Sequence, residues 1–373
     1  MRLSADWLTH PGTVAVFDAL CDHRAWFVGG CVRDGLLGRA VDDIDICTDA
    51  HPHDVITSVE AASLKVVPTG IDHGTVTVIA HDKSFEITTL RRDIETDGRH
   101  AQVAFSTDIA EDAARRDFTI NALYATREGD ILDPNGTGLP DLSTRRVRFI
   151  GDPDARITED YLRILRFFRF HAWYADPAHG MDADALAACA ANLQGLPRLS
   201  KERIGTELLK LLRAPDPAPA IAAMDQTGVL TTILPGASSR MLTILSGYTA
   251  SPLARLASLG GAEVADNLRL SKADAKTVAL YRAEIGTTTQ PGALAYHHGA
   301  DAASDIIALR AAAQEMPLPD VRDAITKGAA ATFPVKAADL PHLSGPALGQ
   351  HLRALESRWI DSDFTLTKAE LLS

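Results

Sequence analysis

Residues 27–49 read FVGGCVRDGLLGRAVDDIDICTD, and the order of signals inside this stretch decides the fold. A short apolar run at 25–28 ends in Gly29-Gly30. A helical stretch carrying Arg33 and Asp34 follows, and Asp43-Ile44-Asp45 then sits in a second β-like run. Glycines let the backbone come close to a phosphate, and a helix start offers free N–H groups and a positive dipole end. An Asp-x-Asp on a strand turns both carboxylates to one face, because side chains alternate with period two. Two such carboxylates repel unless a cation sits between them. A phosphate cradle beside a Mg²⁺ seat is the minimum equipment for phosphoryl or nucleotidyl transfer. Alone, Gly-Gly is a turn and Asp-x-Asp a solvated strand edge; their combination in fixed order and spacing is far more specific. The dinucleotide pattern G-x-G-x-x-G is absent, and the spacing does not fit an EF-hand loop.

Strand and helix signals alternate over the first 140 residues. Strand-like runs fall at 26–28, 44–47, 64–67, 75–80 and 85–89. Helical segments fall at 31–37 and 53–62, the second opened by Asp49, His51 and Pro52. This order predicts a small mixed sheet with helices on one side. Residues 91–106 are polar and poorly periodic and read as a mobile loop. Asp133-Pro134-Asn135-Gly136 marks a turn. From about 141 the pattern is helical, with segments at 158–174, 182–191, 201–212 and 218–227, and Pro215 and Pro217 separating the last two. Pro- and Gly-containing breaks follow at 234–236 and around 291, and residues 237–373, rich in Ala and Leu, read as a helical body and tail. The expected fold class is α+β, a mixed-sheet part followed by an all-α remainder.

A chain of 373 residues is long enough for more than one domain, and its 46% hydrophobic and 23% charged composition is that of a globular protein. The net charge of −12 is unusual for a protein that meets RNA, but local basic patches decide such contacts, and arginines gather between 91 and 169. Cys21, Cys31, Cys47 and Cys189 show no C-x-x-C spacing and suggest reduced thiols in a cytoplasm, not a zinc site or a disulfide frame. The N-terminus lacks a signal-peptide core, and no apolar run approaches the roughly 20 residues of a membrane span. A cytoplasmic location with no membrane partner is expected.

The 27–49 segment resembles the active-site motif of the class II CCA tRNA nucleotidyltransferase and bacterial poly(A) polymerase superfamily, G-G-x-V-R-D followed by D-x-D. Three further blocks resemble the same family in the same order: RRDFTINA at 115–122, EDYLRILRFFRF at 159–170, and SKERI followed by Glu-Leu within 200–208. The resemblance implies a nucleotidyltransferase head at 1–140, a helical neck for base recognition at 141–215, and a helical body and tail that hold tRNA at 216–373.

Asp43 and Asp45 are the expected catalytic carboxylates and Mg²⁺ ligands, with Glu86, in the alternating run SFEITT, as candidate third carboxylate or else an exposed strand residue. Asp42 reads as solvated charge. Gly29, Gly30 and Arg33 would hold the triphosphate, because a guanidinium fork binds phosphate oxygens in pairs. The resemblance assigns Arg116, Asp117 and Asn121 to the ribose and phosphates of the nucleotide. Asp160 and Arg163 lie three apart, share a helix face and read as an ordinary ion pair. The resemblance gives them another task, a hydrogen-bonding edge for the incoming base. Arginine offers only donors and carboxylate only acceptors, so the pair matches cytosine and adenine by a slight shift, while guanine and uracil leave groups unpaired. Arg166 and Arg169 continue the base-recognition helix toward phosphates or base, opposite an apolar stripe of Leu162, Leu165 and Phe168. Ser200, Glu202 and Arg203 brace this helix. Arg145, Arg146 and Arg148 are candidate RNA contacts by charge density. His297, His298 and Asp301 read as a solvated loop.

Three activities share these motifs. Partial CC-adders resemble this chain but lack a loop between the carboxylates and the 115–122 block; residues 91–106 fill that place. Poly(A) polymerases carry basic residues beside Asp-x-Asp, where this chain has Ala40-Val41-Asp42. The resemblance therefore favours addition of CCA to tRNA 3′ ends from CTP and ATP. Poly(A) addition and partial CC or A addition are the alternatives, and a catalytically silent RNA-binding protein is a remoter one.

Overall fold

The computed structural model describes residues 1–71, 74–97 and 100–373, with the side chains of 69, 93–97 and 100–103 left out. Helix α1 (Pro11–Ala19) precedes β1 (Ala25–Val28), α2 (Gly30–Leu36), β2 (Ile44–Thr48) and α3 (Pro52–Ala61). Then come β3 (Lys65–Gly70), β4 (Thr75–Ala80), β5 (Lys83–Thr89), β6 (Arg91–Asp97) and β7 (His100–Phe105). Helix α4 (Ile109–Ala114), β8 (Tyr124–Ala125), β9 (Ile131–Leu132), α5 (Gly138–Ser143), α6 (Pro153–Glu159), α7 (Leu162–Tyr174), α8 (Ala183–Ala191) and α9 (Lys201–Leu212) follow.

The main sheet has seven strands in the order β3-β4-β5-β2-β1-β8-β9. It is mixed, as expected: β2 runs parallel to β5 and antiparallel to β1. Alternation then fixes the site. Ile44, Ile46, Phe85 and Ile87 are buried, so Asp45 and Glu86, one step out of phase with them, stand on the other face, opposite each other in register. A core of Val28, Cys47, Leu90, Ala113, Ala122 and Tyr124 lies beneath.

The sequence reading is corrected at three places. Residues 91–106 are not an irregular loop: β6 and β7 pair as a two-stranded ribbon from Arg91↔Phe105 to Asp97↔His100, with 98–99 outside the described residues. The ribbon forms a two-stranded sheet of its own, and its sequence shows no period-two apolar pattern. The single helix read over 158–174 is two, because Asp160 is extended (φ −151°, ψ 105°) between α6 and α7. His297 and His298 end a helix (Pro291–His298) and Asp301 lies in the first turn of the next (Ala300–Ala313), all three exposed as foreseen but not in a loop.

Two compact units emerge, Met1–Glu207 with Thr227–Thr232, and Leu208–Gln226 with Ile233–Ser373. In the first, α7 seats on the 115–122 block through aromatic packing: Phe118 lies 5.1 Å from Phe170 and 4.9 Å from Phe149. Leu162, Leu165 and Phe168 are buried as expected. The second unit is helical. There Arg255, 1% exposed, donates to the carbonyls of Leu212, Ala214, Pro215 and Thr249, which satisfies a buried cation without a carboxylate bond. No helix among the described residues is long and apolar enough to cross a membrane.

Candidate active site

β1 ends at the Gly29 turn. Gly29 has φ +74°, and a Cβ there would lie 3.3 Å from Nη1 of Arg116, so both conformation and space call for glycine. Its N–H donates to the carbonyl of Leu123 at 3.0 Å, which ties the turn to the residue that follows the 115–122 block. Arg33 follows one turn into α2 and is 6% exposed. Its Nε and Nη2 grip Asp34 at 3.1 and 2.7 Å, Nη1 donates to Asn121 Oδ1, and Nη2 reaches the Tyr174 hydroxyl at 2.7 Å.

Asp43 is exposed just before β2, Asp45 is half-buried within it, and Glu86 is exposed on β5. Among the described residues no side-chain donor bonds any of these three carboxylates. Burial first, then the charges of Glu86 and Asp43, push the Asp45 carboxyl up to about 6, with Arg116 opposing. Beneath it, burial and the Asp45 charge push the Cys31 thiol up to about 12, and its Sγ lies 3.7 Å from the Asp45 carbonyl oxygen. This thiol is an inert floor. The four cysteines are free, only Cys21 exposed.

The basic side is bonded throughout. Asp112, 1% exposed and overlooked in the sequence, binds Arg115 at 2.6 Å, Arg116 at 3.0 Å and the Tyr124 hydroxyl at 2.8 Å. Burial alone would lower the Arg116 guanidinium, but Asp112 outweighs it and keeps the cation charged. Burial would raise the Asp117 carboxyl; the charge of Arg166 and hydrogen bonds from Asn121, Arg166 and the Phe118 N–H hold it below the usual range. Asp117 Oδ1 takes Asn121 Nδ2 at 3.0 Å and Oδ2 takes Arg166 Nε at 2.7 Å. One polar chain therefore runs Asp34–Arg33–Asn121–Asp117–Arg166, from the glycine turn to α7.

Asp160 and Arg163 are not paired side chain to side chain. Asp160 Oδ1 caps α7 by accepting from Leu162 N at 3.1 Å, and Oδ2 accepts from Arg203 at 2.7 Å. Arg163 pairs with Glu159 and donates to the Arg156 carbonyl at 2.9 Å. The Glu159–Arg163 spacing of four, with the acid N-terminal, was legible in the sequence, and the pair bridges the break between α6 and α7. Arg169 binds Glu207 at 2.6 Å, a residue of the 200–208 block. Arg145 and Arg146 are exposed, whereas Arg148 is held by Asp141 at 2.6 Å.

Comparison with known proteins points one way. Residues 25–148 match the poly A polymerase head domain family, and residues 180–241 the family described as the probable RNA and SrmB-binding site of polymerase A. The mitochondrial CCA tRNA nucleotidyltransferase 1 of Homo sapiens is 44% identical over 192 residues, 51% of this chain and 44% of that protein. The CCA-adding enzyme of Geobacillus thermodenitrificans is 39% identical over 220 residues, 58% of this chain and 52% of that protein. The crystal structure of the Bacillus stearothermophilus CCA-adding enzyme in complex with CTP aligns with a TM-score of 0.78 at 27% identity, covering 94% of this chain and 93% of that one.

The chain carries the poly A polymerase head domain and its RNA-binding companion, and it is similar to CCA-adding enzymes in sequence and in fold. The sequence matches span about half the length of the curated relatives. Within the superfamily motifs, sequence reading named the residues that face the turn and the strands. It missed Asp112, Glu159, Glu207 and Tyr174, which act on the named arginines from neighbouring positions. The signal available for Asp112 was its i,i+3 and i,i+4 spacing to Arg115 and Arg116.

Proposed function

We propose that this protein adds CCA to the 3′ end of tRNA, using CTP and ATP without a nucleic-acid template. The observation that carries the reading is the pairing of an unbonded carboxylate group (Asp43, Asp45, Glu86) with a glycine turn and Arg33 that a polar chain links to Arg166 on α7. The relatives support it by name, and the Bacillus stearothermophilus enzyme was solved with CTP.

Asp43 and Asp45, with Glu86 beside them, would hold Mg²⁺: they are hard oxygen donors, and Asp45 titrates high because burial, and then the charges of Glu86 and Asp43, disfavour its ionised form. Among the described residues no three His, Cys, Asp or Glu side chains form a complete metal site. Mg²⁺ takes one or two protein carboxylates and completes its shell with substrate phosphates and water. A bound Mg²⁺ supplies acidification of the RNA 3′-hydroxyl and charge neutralisation on pyrophosphate. In the reaction the 3′ oxygen loses its proton to solvent and attacks the α-phosphorus. The bond from that phosphorus to the β-phosphate oxygen breaks, and pyrophosphate leaves.

Gly29 and Gly30 give the triphosphate close backbone access, and Arg33 offers it a positive charge and the one Nη1 hydrogen that Asp34, Asn121 and Tyr174 leave. Arg116, with Asp117 and Asn121, orients the ribose and phosphates. Asp160 and Arg163 read the base by exchanging a partner each (Arg203, Glu159) for the base edge, with Arg166 and Arg169 behind them. Residues 1–140 serve as head, 141–215 as neck, and 216–373 as body and tail that hold tRNA by phosphate and shape contacts. Arg145 and Arg146 are free to extend that contact.

The test is incorporation by purified protein with Mg²⁺, tRNA lacking CCA, and labelled CTP and ATP alone and together. Two C residues and one A are expected, none with Asp45→Ala. Long A tails would make the enzyme a poly(A) polymerase, and a stop at CC a partial adder. No incorporation by folded protein would favour a silent RNA-binding protein.

A further inference from the structure

Arg166, Phe170 and Tyr174 are spaced by four along α7 and line one side of it. Arg33 lies against that side. Its guanidinium carbon is 4.0 Å from the centroid of the Tyr174 ring and 5.2 Å from that of Phe170, while the Arg166 guanidinium is 5.3 Å from Phe170. Arg39 adds to the stack, 4.7 Å from the Tyr174 ring, and its Nη2 donates to the Trp173 carbonyl at 2.8 Å.

The Tyr174 hydroxyl accepts from Arg33 Nη2 at 2.7 Å and lies 3.5 Å from Asp34 Oδ2. A guanidinium has five N–H groups. Asp34 takes two of them, Asn121 one and Tyr174 one, which leaves a single Nη1 hydrogen and the plane of the group fixed on three sides. Tyr174 is only half-buried, and the burial of α7 comes from Ile164, Phe167 and Phe168, each 0% exposed. Its ring stacks on Phe170 at 5.5 Å, and its outer side and hydroxyl meet Arg33 and Arg39.

We infer that Tyr174, with Phe170, is a positioning residue for the triphosphate grip: it sets the orientation in which Arg33 meets the phosphates. The inference rests on the assignment of Arg33 to the triphosphate. The helix that faces the base thereby also governs the hold on the phosphates. Because CTP and ATP share their triphosphate, the effect must be the same for both.

The test compares wild type, Tyr174→Phe and Tyr174→Leu, with Tm recorded to show that each folds. Tyr174→Phe keeps the ring and loses the hydroxyl. It raises KM for CTP and for ATP by the same factor, about tenfold, the scale of one hydrogen bond to a charged group, and leaves kcat within about twofold. Tyr174→Leu, without the ring, raises both further, so that phenylalanine is a partial rescue. Equilibrium binding of inorganic tripolyphosphate falls in the same order. Unchanged KM in Tyr174→Leu, a change confined to one nucleotide, or unaltered tripolyphosphate affinity would overturn the inference. If wild type incorporates neither nucleotide, the proposed activity fails, and the tripolyphosphate comparison still decides the role of Tyr174.

Discussion

The acidic strands and the basic helix are built on opposite plans. On β2 and β5 like charges are set side by side without donors, and burial together with those charges drives the Asp45 carboxyl up to about 6. Along α7 and the 115–122 block, the cations meet carboxylates: Arg116 with Asp112, Arg166 with Asp117, Arg163 with Glu159, Arg169 with Glu207. The strand side is an electrostatic debt that a cation with phosphates relieves. The helix side is a rigid set of donors, pre-oriented before any substrate arrives. One half of the site supplies charge demand and the other supplies geometry.

The largest expected effect tests the acidic half. Asp45→Ala lowers incorporation by about a thousandfold or more, the scale of losing a preorganised charge-stabilising group, measured by single-turnover extension of tRNA. Relieved of one like charge, the variant does not lose Tm in EDTA. A large fall in Tm would show that Asp45 is a structural residue.

On the basic half the opposite holds. Asp117→Ala strips Arg166 and Asn121 of their shared partner and costs about 3 kcal/mol of stability by urea unfolding. This is the low end for such a pair, because the Arg166 side chain keeps 31% of its surface exposed. The pH dependence follows by sign. The folded Asp117 carboxyl is held below its unfolded value, so its contribution is present above the ordinary carboxylate range and is lost as pH falls through the folded value. The stability gap between wild type and Asp117→Asn therefore narrows on acidification below about pH 4. A gap that widens would break the comparison.

Smaller effects sharpen it. Asp160→Ala reduces the preference for CTP and ATP over UTP and GTP by about tenfold to a hundredfold, measured as ratios of kcat/KM. Arg203→Ala breaks an ion pair whose side chains are 43% and 33% exposed, and costs under about 1 kcal/mol by the same unfolding assay.

What the sequence disclosed follows the same division. The Asp45–Glu86 shelf was legible because strand alternation ties sequence position to face, and the buried Ile44, Ile46, Phe85 and Ile87 leave only one register. The strands at 75–80 and 85–89 were found by that alternation, and those at 26–28 and 44–47 as short apolar runs. The β6–β7 ribbon was missed because its sequence is polar and carries no period-two apolar pattern. Its Asp97-Gly98 dipeptide, a hairpin signal, was the available clue. The break at Asp160 was missed because apolar periodicity continues across it from Ile157 to Leu165, while the capping carboxylate that creates the break acts locally. Partner exchange on the arginines was least legible. Arg33 and Tyr174 are far apart in the chain, and Arg169 finds Glu207 on another helix, so no spacing rule applies to them.

The most direct test of the two-plan account is cation binding at the strands. Mn²⁺ is titrated into the full chain in the presence of CTP, followed by its electron paramagnetic resonance signal, for wild type and for the double variant Asp43→Asn, Asp45→Asn. The account predicts at least about tenfold weaker binding in the double variant, as two ligands of a hard cation are neutralised. Equal Mn²⁺ affinity in the two proteins would contradict it.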